Sequence, residues 1–142
     1  MVRRPAEADV RSGRDRAAAG LLLLAALGAL FSFVDAVGAT TVAGPEARVA
    51  ESWRMYGFLV FAGLFVLLAL RPRRSPGVWE LVIFHKIAVA VTAAALVGEG
   101  TEGAATVAVV DGVLATMLVI AYFLSRGYAG WATPRADGAG AG

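Results

Sequence analysis

Polar and apolar positions along this chain separate into long blocks instead of alternating. Ala17 to Val34, Met55 to Leu70, Leu81 to Gly98 and Ala104 to Ser125 are apolar, and only His85, Lys86 and Asp111 interrupt them with ionisable groups. A helix needs about 20 residues to cross the hydrocarbon core of a bilayer, and each block reaches that length once its flanks are counted. The pattern therefore predicts an all-α integral membrane protein, an up-down four-helix transmembrane bundle. Its spans fall at about 17–40, 53–70, 78–98 and 104–125.

The breaks between blocks are chemically legible. Gly44-Pro45 stops the first span, because proline cannot continue the hydrogen-bonded ladder and disfavours helix in the residue before it. Glu46 to Arg54 alternates acids and bases among alanines and ends near Trp53, which predicts a short amphipathic helix on the membrane surface. Arg71-Pro72-Arg73-Arg74-Ser75-Pro76-Gly77 makes a tight turn, with Ser75 as N-cap and Pro76 at the first helical position of the third span. Gly98 to Gly103 makes the turn into the fourth. Residues 1–16 read as a polar, Arg-rich arm and 132–142 as a disordered Ala/Gly tail. The arginines, apolar run and small residues Val37-Gly38-Ala39 also fit a secretory signal cleaved after Ala39, although the apolar stretch is long for one.

Composition strengthens the membrane reading: 58% of the 142 residues are apolar and mean hydropathy is +0.70, above the usual soluble range. A net charge of +2 suggests nucleic acid only until the arginines are located. They gather before the first span, between the second and third, and after the fourth, so the positive-inside rule places both termini and the Arg71–Arg74 turn in the cytoplasm. Trp53 and Tyr56 then mark the outer interface, and Trp79, Tyr128 and Trp131 the inner one. Twelve arginines to one lysine, with heavy alanine and glycine use, point to a GC-rich genome and a bacterial inner membrane. The chain has no cysteine, which removes thiolate chemistry, and one histidine, which leaves a bis-imidazole haem only as something shared between two copies.

Ionisable groups inside a membrane span are costly and mark candidate sites. The third span carries three, Glu80, His85 and Lys86. At 100° per residue they point in three directions, so they form no single intrahelical site. Glu80 sits near the favourable end of the helix dipole. Lys86 is expected to snorkel back toward the cytoplasm, and His85 is expected to be buried, within reach of Tyr122. A second set lies toward the other face: Asp35 in the first span and Asp111 in the fourth, with Arg54 able to pair with either. Small residues surround these acids, Gly28, Ser32, Ala36 and Ala39 about Asp35 and Ala108, Gly112 and Ala115 about Asp111. Together with Ala90, Ala94 and Gly98 they predict faces turned toward other helices. The relation of His85 to Asp111 across the bundle is the favoured functional link. No catalytic or metal motif accompanies them.

Four spans in about 140 residues, the amphipathic stretch Ala47 to Trp53, the glycine-containing span from Tyr56-Gly57 to Leu70 and the Arg-rich turn together resemble the DoxX-like small bacterial membrane proteins. The resemblance covers about Ala17 to Ser125. It implies a four-helix bundle and, for some members, association with quinone-linked oxidoreductase complexes, and it transfers no site residue. Three functions are consistent with the sequence. The first is a non-enzymatic accessory subunit that packs with itself or a partner membrane protein. The second is a proton- or cation-coupled transporter using the intramembrane acids, and the third is a lipid- or quinone-interacting redox subunit. No cofactor is required, quinone or lipid being the options, and the expected partners are membrane lipids rather than nucleic acid.

Overall fold

The structure is a computed structural model that describes residues 13–132. The expected arm and tail fall mostly outside the described residues, although Gly13 to Arg16 already form the first turn of a helix. The described chain contains no strand. Its helices are α1 (Gly13–Val42), α2 (Pro45–Leu70), α3 (Val78–Val97) and α4 (Ala104–Ser125), followed by a short 3-10 turn at Gly127–Trp131. All four long helices have the length and apolarity to cross a membrane. The protein is a small multi-pass membrane protein built as a four-helix bundle.

The surface is apolar and the interior is lined with small residues. Leu27, Phe31, Val60, Phe84 and Val91 are exposed, whereas Ala18, Ala25, Ala26, Ala62, Ala69, Ala93, Ala115 and Ala121 are buried. In lipid this arrangement is expected, because hydrocarbon solvates leucine as well as another leucine does, and small residues let backbones approach. The largest buried side chains, Leu22, Phe65, Leu68, Trp79 and Leu118, belong to one cluster in the half of the bundle nearest the arginine turn. The buried stripe on α3 is Trp79, Val82, Lys86 and Ala93, so Ala94 and Gly98, expected to face neighbours, are exposed instead.

Several local expectations give way. Residues 46–54 do not form a separate surface helix but run unbroken into α2. Proline costs nothing at the first turn, the Arg48 guanidinium donates to the Ala43 carbonyl, and Arg54 pairs with Glu51, so the polar stretch is satisfied within a continuous helix. α3 starts at Val78 after Gly77, whose φ of 82° takes the chain round the corner; Ser75 donates its hydroxyl to the Arg71 carbonyl and is no cap. Trp79 is not a belt residue: it is completely buried and donates Nε1–H to the Pro72 carbonyl at 2.8 Å. Trp53, Tyr56, Tyr128 and Trp131 are exposed, as interfacial aromatics should be.

The helices pack in the order α2, α1, α4, α3, and the remaining side of the ring, between α2 and α3, is joined only slightly. At 1.5 Å per residue α1 and α2 are about 45 and 39 Å long, against about 30 and 33 Å for α3 and α4. The helices are tied level at the arginine end, where Arg73 donates to both Asp15 of α1 and the Ser125 carbonyl of α4. The first hairpin therefore extends past the second at the opposite end.

Candidate functional site

Three side chains of α3 point in three directions and meet three different neighbours. Lys86, 6% exposed, places its ammonium 2.5 Å from Asp111 Oδ1 on α4. It does not snorkel. Asp111 lies about 6 Å closer to the α3–α4 turn than Lys86 does, judged by residues counted from that turn. The lysine therefore extends toward that turn, away from the arginine end. A buried ammonium without a counter-ion would be far costlier than this reach.

His85 lies on an adjacent face and is exposed, contrary to the buried role expected for it. Its ring stacks at 45° on Phe61 of α2, with centroids 4.5 Å apart. The Lys86 ammonium sits over the same phenyl ring, 4.6 Å from its centroid, a geometry in which the ring quadrupole attracts the cation. Phe61 is thus the point where α2 meets the basic residues of α3 across the loosely joined side of the ring.

Glu80, two residues into α3, accepts hydrogen bonds on Oε1 from the Tyr122 hydroxyl and from Trp131 Nε1, both at 2.9 Å. Tyr122 is therefore a partner of Glu80 and not of His85. Counting from the arginine end explains it, because Tyr122 is as shallow as Glu80 whereas His85 is about a turn and a half deeper. This cluster docks the 3-10 turn onto the bundle, and among the described residues no hydrogen bond or ion pair links it to the Lys86–Asp111 pair.

Asp35 and Arg54 do not join the pair. Arg54 binds Glu51 one turn away at 2.6 Å, a local partner that the i, i+3 spacing already offered. Asp35 is exposed on α1, about 30 Å of helix from Asp15 and so level with the far ends of α3 and α4. It does not face another helix there; Ala36 beside it does.

Beside Lys86 lies a partly open cavity of about 260 Å³. Its walls include Gly28 and Ala29 of α1, Phe61 and Phe65 of α2 and Leu114 of α4, and among the described residues Lys86 is the one ionisable residue lining it. The ammonium has three donors. Asp111 takes one and the Phe61 ring covers another side. Among the described residues no cluster of histidine, aspartate or glutamate has the make-up to hold a metal ion. No family model matches the chain, and neither a curated protein nor a solved structure is significantly similar to it.

Proposed function

We propose that this protein is a non-enzymatic accessory protein of the bacterial inner membrane that holds a lipophilic molecule with a polar, hydrogen-bond-accepting head, of the lipid or quinone class. The observation that carries the reading is the apolar cavity with Lys86 at its wall, the ammonium fixed by Asp111. Pockets of this kind, mostly apolar with one placed polar group, are the usual form of small-molecule sites. The volume suits a ring-sized head or a length of acyl chain. Sorting of the arginines supports cytoplasmic termini, and the architecture supports kinship with the DoxX-like proteins.

Binding is tested by native mass spectrometry of the detergent-solubilised protein titrated with a short-chain quinone. Gly28→Leu is the informative variant, because Gly28 lines the cavity and a Cβ added there meets nothing within 4 Å. A saturable one-to-one complex in wild type, weakened about tenfold or more when the leucine takes up the apolar space, is expected. Equal binding in both proteins refutes the assignment of the cavity.

A further inference from the structure

A second cavity lies at the arginine end, separate from the one at Lys86, and the reading of it does not depend on that site. Its volume is about 420 Å³. The lower wall is apolar, with Ala18 and Leu22 of α1 and Leu68 and Ala69 of α2, and the rim carries Arg71, Arg73 and Arg74. We propose that this cavity binds the phosphate head of an anionic phospholipid.

The three guanidiniums are not equivalent. Arg73 is spoken for: Nε donates to the Ser125 carbonyl at 3.0 Å and a terminal nitrogen to Asp15 at 2.7 Å. Those contacts fix the turn to α1 and α4, so that the rim is held in place before any ligand arrives. Arg71 and Arg74 are exposed and, among the described residues, their guanidiniums make no hydrogen bond or ion pair. Among the described residues lining the cavity, three positive charges stand against the one carboxylate of Asp15, and guanidinium is the side chain best matched to a phosphate's paired oxygens.

Position selects the source of the phosphate. Tyr128 and Trp131 are exposed at the same end of the bundle, where interfacial aromatics mark the level of lipid headgroups. A soluble phosphate needs only the rim, whereas a phospholipid also uses the alanine and leucine wall beneath it for the first part of an acyl chain. Basic pockets between spans at this level are the form that headgroup sites take.

The test uses the full chain in detergent, titrated separately with dioctanoyl phosphatidylglycerol, dioctanoyl phosphatidylcholine and inorganic phosphate. Native mass spectrometry counts bound molecules and a thermal-shift measurement follows stabilisation. Saturable binding of the glycerol lipid is expected, with roughly tenfold or greater loss in Arg71→Gln/Arg74→Gln. Arg16→Gln/Arg126→Gln, which removes the same charge from the same end outside the cavity, should bind as wild type does. Equal loss in both double variants would reduce the effect to general electrostatics and overturn the site. Inorganic phosphate or phosphatidylcholine that binds as tightly as phosphatidylglycerol would overturn the assignment to an anionic phospholipid. Both double variants replace exposed side chains, and unchanged circular dichroism confirms that their folds are intact.

Discussion

The ammonium of Lys86 and the carboxylate of Asp111 meet at 2.5 Å across the α3–α4 interface, with both side chains almost wholly withdrawn from the surface. Each makes the other tolerable at that depth, and together they fix the register of the second hairpin. Lys86 also lines the apolar cavity, so one residue serves both packing and the proposed binding.

Breaking the pair on one side should cost more than removing it. Lys86→Met leaves Asp111 without its cation and is expected to destabilise the protein by about 3–5 kcal/mol, whereas Lys86→Met/Asp111→Leu should fall within about 1–2 kcal/mol of wild type or above it. Denaturant unfolding in detergent, followed by circular dichroism, measures both. A double variant as unstable as the single would mean that the loss comes from packing and not from the orphaned charge.

Gly127 is a close-approach position. A Cβ there would stand 2.6 Å from Tyr122 Cδ2 and 2.7 Å from Trp79 Nε1, and neither ring can yield freely, since Trp79 is fully buried and Tyr122 is held by Glu80. Gly127→Ala should therefore cost about 1–3 kcal/mol. A melting temperature unchanged from wild type would show that the two rings move aside easily.

Glu80 holds the 3-10 turn through Trp131. Glu80→Ala removes the acceptor of two hydrogen bonds, at about 1–1.5 kcal/mol each, and should loosen the turn more than the bundle. Trypsin cleavage after Arg126 should speed up several-fold while global unfolding shifts little. Unchanged cleavage would show that the turn is held by other contacts.

The binding reading also differs from the transport reading in what a pH gradient does. Reconstituted wild-type protein is expected to leak protons no faster than empty liposomes, and Asp111→Asn the same. A leak present in wild type and abolished in the variant would favour transport through the buried acid.

The helical architecture was legible because hydrocarbon imposes it: four apolar blocks of sufficient length leave the backbone no alternative to helix. The separation of Glu80, His85 and Lys86 followed from 100° per residue, and the structure assigns them to Tyr122 with Trp131, to Phe61 and to Asp111. Pairing between helices was harder to read, since it depends on which neighbours touch. Counting from the α3–α4 turn puts Lys86 within a lysine's reach of Asp111, whereas snorkelling would draw the side chain the other way. Arg54 pairs with Glu51, three residues off, and not with the distant acids Asp35 and Asp111. The near-absence of contact between α2 and α3, and hence the exposure of His85, left no trace in local pattern. Nor did the cavity, which is formed where side chains of four helices fail to meet.

Occupancy of the Lys86 cavity by a lipophilic ligand is measured by photo-crosslinking with a diazirine-tagged quinone in reconstituted membranes, followed by peptide mapping. Labelling is expected between Phe58 and Phe65 of α2 and at Leu114 or Met117 of α4, which line the cavity. That labelling should be displaced by untagged quinone and lost in Gly28→Leu. Labelling confined to lipid-facing residues such as Phe31, Phe84 and Val91, and indifferent to competitor, would contradict it.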